Sequence, residues 1–133
     1  MAWDYLDLAD FLLIAEAVLD IPAEDLAHAA RLELAESALH APAATFGGVE
    51  FYPDLARKAA VLAARLINNH PLPDGNKRVG YLCALEFVAR NGGTWTHPDN
   101  DPDGDDTVAM IEGVAAGQID EATLTAWITE RLT

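Results

Sequence analysis

Residues 55–90 constrain the fold more than any other part of the chain. Leu55, Ala59, Leu62, Ala63, Leu66 and Ile67 recur at helical spacing behind Pro53-Asp54, which predicts a helix from Leu55 to about Asn69. His70-Pro71-Leu72-Pro73-Asp74-Gly75 contains two prolines and a glycine and breaks that helix. Helix resumes near Asn76 and runs to about Arg90, where Asn91-Gly92-Gly93 suits a C-terminal cap. Between Val79 and Ala89 only Gly80 and Glu86 are neither apolar nor aromatic. A helix apolar nearly all round belongs in the middle of a fold.

The remaining segments are read as elements packed around that helix. Asp7 caps a first helix, Leu8 to Leu19. Pro22, with Glu24 and Asp25 behind it, opens a second that runs to about His40 and is ended by Pro42. Two short helices close the chain, about 106–116 and 121–132, with Asp105 and Asp120 as N-caps. Between Pro42 and Pro53, two short β-prone runs flank Gly47-Gly48, a hairpin signal over residues 44–52. The expected architecture is a single all-α domain over residues 1–133, with six helices and one small β-hairpin.

Charge and composition narrow the function. The chain has 133 residues, 8 Lys and Arg against 22 Asp and Glu, and a net charge of −14. A surface this acidic repels nucleic acid and anionic membrane, so neither is expected as a partner. The hydrophobic fraction of 51 % is that of a folded chain. The single cysteine, Cys83, excludes an intrachain disulfide and a cysteine zinc cluster. The acidic N-terminal residues and the absence of a long apolar run predict a cytoplasmic protein.

Against that acidity, the segment 70–78, His-Pro-Leu-Pro-Asp-Gly-Asn-Lys-Arg, stands out. Pro71 is expected to hold His70 in extended conformation at the end of the preceding helix. Asp74-Gly75 supplies a turn, and Asn76 is a suitable N-cap. Lys77 and Arg78 then fall in a first helical turn, where the macrodipole disfavours cations. The placement makes sense if an anion binds there, met by backbone N–H groups, a close glycine and two positive side chains. A carboxylate among phosphates, Asp74, suggests a bridging magnesium ion. His70 is the group able to accept a proton near neutral pH. Together these residues describe phosphoryl or nucleotidyl transfer.

The segment resembles the motif of the Fic/Doc family, and of its Doc (death-on-curing) branch in particular. His70 to Arg78 follows the Doc pattern H-x-F-x-[DN]-x-N-K-R, with Leu72 where the family usually has Phe. Lys77 replaces the second glycine of the Fic pattern, and Tyr81 stands where Fic enzymes have a second arginine. The stretches 34–39, 44–48, 52–56, 85–87 and 91–92 are also similar to the family. The resemblance implies the Fic fold, with the motif loop between two central helices. It implies His70 as general base, Asp74 as the Mg²⁺ ligand, and Gly75, Asn76, Lys77 and Arg78 as the site for ATP phosphates. The hairpin, with Thr45, Phe46, Gly47, Gly48 and Val49, becomes a flap that docks an extended stretch of target by strand addition. It also implies a toxin, neutralised by an antitoxin protein, that phosphorylates translation elongation factor Tu and arrests growth. The alternatives are a Fic-type protein adenylyltransferase and a catalytically silent nucleotide- or protein-binding module.

Other signals are weaker. Residues 99–104, Asp-Asn-Asp-Pro-Asp-Gly, match the first half of an EF-hand loop, but the twelfth position is Met110 rather than glutamate. This loop is read as acidic and solvated. Cys83 is expected to be buried and inert, and Glu50, His28 and His40 to lie on the surface.

Overall fold

A computed structural model describes residues 2–133. Seven α-helices among the described residues carry the chain: α1 (Leu8–Leu19), α2 (Ala23–Ala29), α3 (Leu32–His40), α4 (Leu55–Asn69), α5 (Asn76–Arg90), α6 (Asp105–Ala115) and α7 (Glu121–Thr129). A short 3₁₀ turn, Ala41–Ala43, leads into a hairpin of β1 (Thr45–Phe46) and β2 (Val49–Glu50), paired antiparallel as Thr45 with Glu50 and Phe46 with Val49. The mostly helical architecture with one small hairpin agrees with the expected Fic fold.

The helix α4 is the hub and packs against α3, α5, α6 and α7. Its stripe works as the periodicity requires, with Ala59, Leu62, Ala63, Leu66 and Ile67 buried. The chain approaches closely at Gly80, where an added Cβ would press on Ile67 and the carbonyl of Ala63. On α5, Val79, Gly80, Cys83, Ala84, Phe87 and Val88 are buried, whereas Tyr81, Leu82 and Leu85 are half-buried. Complete burial of α5 is therefore corrected: one side stays partly open. Arg90, at the end of α5, grips Asp10 of α1 through Nη1 and Nη2, both at 3.0 Å. The hydrogen bonds from Arg90 hold the Asp10 carboxyl below its usual range.

Two sequence expectations about helices are overturned. The helix expected from Pro22 to His40 is two helices, because Ala30 is extended (ψ 153°) and Arg31 leaves helical geometry (ψ 87°). Neither residue breaks helices by propensity. The break frees the Arg31 N–H to donate to the carbonyl of Pro71 at 2.8 Å, a tertiary bond that local signals do not encode. The last helix stops at Thr129 rather than Leu132, because residues 94–96 capture the chain: Trp95 bridges Leu132, and the Thr96 N–H donates to the Arg131 carbonyl at 2.7 Å.

The N-caps Asp7 and Asp120 are as expected, accepting from the N–H groups of Asp10 (2.8 Å) and Thr123 (2.7 Å). Asp105 is not a cap but the first residue of α6. Asp101 reaches forward instead, accepting from the N–H groups of Asp106 (3.0 Å) and Thr107 (3.3 Å). The EF-hand-like aspartate is thus a helix-capping group.

Cys83 lies in the core, and burial pushes its thiol up to about 12. The folded state favours the neutral thiol, so its contribution to stability is complete below the unfolded value near 9 and is lost as pH rises towards 12. Native protein at pH 8 is expected to resist alkylation by iodoacetamide and to react on unfolding. Rapid labelling of the native protein would contradict this burial.

Candidate active site

The loop between α4 and α5 is built by local geometry and three tertiary ties. His70 ends α4 in the left-handed region (φ 53°, ψ 54°), not in the extended conformation expected before Pro71. The left-handed residue turns the chain sharply off the helix, as helix C-termini require, at a cost of about 1 kcal/mol for a residue other than glycine. The turn is held on both sides: Asn69 Nδ2 donates to the Leu34 carbonyl at 3.0 Å, and Pro71 accepts from Arg31. Leu72, only 2 % exposed, plugs the loop into the core, so leucine fills the position usually held by Phe.

Asn76 is not the N-cap. That position belongs to Gly75, at φ 77°, and no side chain caps α5. The buried Asn76 side chain turns back on the loop, accepting from the Leu72 N–H at 2.9 Å and donating to the Leu72 carbonyl at 2.8 Å. This pair of hydrogen bonds to one residue imitates a strand neighbour and fixes the five-residue turn. Gly75 is required by its positive φ, and a Cβ there would also displace the end of the Leu19 side chain.

The first-turn amides of α5 consequently lack a side-chain cap, and that turn lines a cavity of about 770 Å³. His70, Asp74, Gly75, Asn76, Lys77 and Arg78 all line it, so the structure brings the six motif residues together. The far wall was not expected from the sequence: Thr107, Val108, Ile111 and Glu112 of α6 close it, with Leu19 of α1 and Tyr81 of α5. Tyr81 is set edge-on to Trp95 at 5.8 Å, and burial raises its phenol above the usual range, opposed by Arg131.

The cations divide by task. Of the eight Lys and Arg residues, Lys58, Arg65, Arg90 and Arg131 are paired with carboxylates. Arg57 lies over the Tyr52 ring and contacts Thr125. Among the described residues, Arg31, Lys77 and Arg78 have neither a carboxylate nor an aromatic partner, although acids outnumber bases in the chain, and of these three Lys77 and Arg78 line the cavity. They stand exposed beside free amides, an arrangement that repels itself unless an anion occupies it. No group of three or more His, Cys, Asp or Glu residues is placed to hold a metal ion among the described residues. Asp74 is the carboxylate of the motif, with Glu112 on the opposite wall of the cavity, and a carboxylate that supplies a single ligand fits a magnesium ion that would keep most of its waters.

The hairpin forms where the sequence places it, turning on Gly47 (φ 59°) and Gly48 (φ 81°). It does not line the cavity. Phe46 and Val49 are 78 % and 70 % exposed. Glu50, expected on the surface, is instead engaged by buried Lys58 at 2.8 Å. That pairing was missed, although a lysine three residues after Leu55 and four before Leu62 falls on an apolar stripe and signals it. No helix among the described residues is long and apolar enough to cross a membrane.

Comparison with known proteins gives a concordant picture. The model of the Fic/DOC family matches residues 5–88. A stretch of 59 residues is 46 % identical to the protein named Toxin Doc from Mycolicibacterium smegmatis, covering 44 % of this chain and 45 % of that relative's own length.

Proposed function

The chain belongs to the Fic/DOC family, and from that premise we propose that it is a Doc-like toxin that moves the γ-phosphoryl group of ATP to a protein hydroxyl. The observation that carries the reading is the pair Lys77 and Arg78, free of carboxylate partners at an uncapped helix start, in one cavity with His70 and Asp74. Lys77 and Tyr81, in place of a glycine and an arginine, favour phosphoryl over adenylyl transfer. The proposed target is translation elongation factor Tu, and the proposed partner a cognate antitoxin, both in the cytoplasm.

In this reading the first-turn amides and the two cations hold the phosphates, and Gly75 lets them approach the backbone. A ring nitrogen of His70 takes the proton of the target hydroxyl as its oxygen bonds to the γ-phosphorus. The bond from that phosphorus to the β–γ bridging oxygen breaks, and ADP leaves with its charge met by Lys77 and Arg78. Asp74 is the residue that would hold Mg²⁺, which when bound neutralises phosphate oxygens. Catalysis rests on positioning and charge, since phosphoryl transfer needs little covalent help from the protein.

The test is incubation with elongation factor Tu and ATP labelled at either the α- or the γ-phosphate. Label on the factor from γ alone is the expected result. Label from α alone identifies an adenylyltransferase, and none from either, with wild type matching His70→Ala, identifies a binding module. Lys77→Ala with Arg78→Ala is expected to weaken ATP binding about tenfold or more by calorimetry, with the thermal midpoint unchanged.

A further inference from the structure

We propose that Lys58 is a positioning residue that, through Glu50, pins the hairpin 45–50 to the body of the protein, so that Phe46 and Val49 present a fixed face to an incoming peptide. This rests on the reading of the hairpin as a target-docking flap. Lys58 is fully buried, and its ammonium has three donors with three acceptors: the Tyr5 hydroxyl at 2.9 Å, the Pro42 carbonyl at 2.8 Å and Glu50 Oε1 at 2.8 Å. The rings of Trp3 and Tyr5 flank it at 4.9 and 5.3 Å.

An ammonium is an expensive filling for an apolar stripe, and a hydrophobic side chain there would stabilise the helix at least as well. What lysine adds is a geometric link between four separate segments: the irregular N-terminal segment, the 3₁₀ turn, α4 and the hairpin. The hairpin needs such a link. Its strands are two residues each, and the Phe51 N–H to the Ala44 carbonyl adds one bond below them, at 3.0 Å. A ladder this short does not hold itself in water.

The pairing decides which face is held. Phe46 opposes Val49 and shares its face, whereas Glu50 projects to the other side. Binding Glu50 to Lys58 therefore turns the apolar pair outward. A second grip holds the exit of the hairpin, where Arg65 Nη2 donates to the Tyr52 hydroxyl at 3.3 Å and Arg57 lies 5.4 Å from the Tyr52 ring centre.

Hydrogen exchange read by mass spectrometry tests the anchor without reference to activity. Glu50→Ala is expected to speed exchange in residues 44–51 by about tenfold while α4 amides stay as in wild type. Glu50→Gln keeps an oxygen acceptor for Lys58 and should remain within about threefold of wild type. Lys58→Met approaches the same link from the other side with an apolar replacement and should loosen the same segment. Unchanged exchange at 44–51 in Glu50→Ala overturns the proposal. So does acceleration spread equally over α4, which marks a merely structural pair. In the transfer assay Glu50→Ala should raise KM for the protein target and leave KM for ATP alone; the reverse split also overturns it. If wild type transfers no phosphate, the functional reading fails, and the exchange result still decides the anchor.

Discussion

Replacing His70 by alanine is expected to lower transfer from γ-labelled ATP by about 10²–10⁴-fold, the range for losing a positioned general base. The fold should be untouched. The His70 side chain is exposed and makes no hydrogen bond to the protein among the described residues, and alanine relieves no packing. ATP affinity should also persist, because the proposed phosphate contacts are those of residues 75–78. The expected signature is thus a fall in kcat with little change in KM for ATP. In cells, arrest of growth on expression without an antitoxin should disappear in the variant. Equal transfer by variant and wild type would remove His70 from the chemistry. A parallel loss of ATP binding would make it a structural part of the loop, for which its left-handed backbone (φ 53°) already provides a mechanism worth separating.

The largest effect on stability is expected at Asn76. Alanine there leaves both the N–H and the carbonyl of buried Leu72 unpaired. Each such group costs about 1–3 kcal/mol, so a loss of about 2–6 kcal/mol is expected from urea midpoints. The same change should impair ATP binding, since the turn that aims the α5 amides is then unsupported. Lys77→Ala is the internal contrast: an exposed, unpaired cation whose loss should move affinity without moving the midpoint. If Asn76→Ala retains wild-type stability, the bonds to Leu72 do not hold the loop, and Asn76 would act through the ligand alone.

Legibility of the fold followed the reach of each signal. Helices α4 and α5 were readable to the residue because one carries a clean apolar stripe and both are bounded by proline, glycine or asparagine. The division between α2 and α3 was not, since Ala30 and Arg31 favour helix and only the distant Pro71 carbonyl overrides them. The motif half of the site was legible because its six residues fall within nine consecutive positions, 70–78. Its other wall, on α6, lies some thirty residues away with no pattern to announce it. The roles of Asn76 and Asp105 were misassigned for a shared reason. Capping propensity names residues able to cap, but the glycines at positions 75 and 104, both at positive φ, take the cap position in each case.

The joint between α2 and α3 has a consequence for the order in which the protein is assembled. The carbonyl of Pro71 is tied to residue 31 and the Asn69 side chain to residue 34, so the loop is finished only when a distant part of the chain docks. Contacts spanning this much sequence form after local helices, because loop closure opposes them. The loop at the head of the cavity is then expected to be a late product of folding. A partial opening that lifts α3 from α4 would dissolve it while leaving α4 and α5 intact. A loop completed only at the last docking step separates having a folded helical core from having a formed cavity.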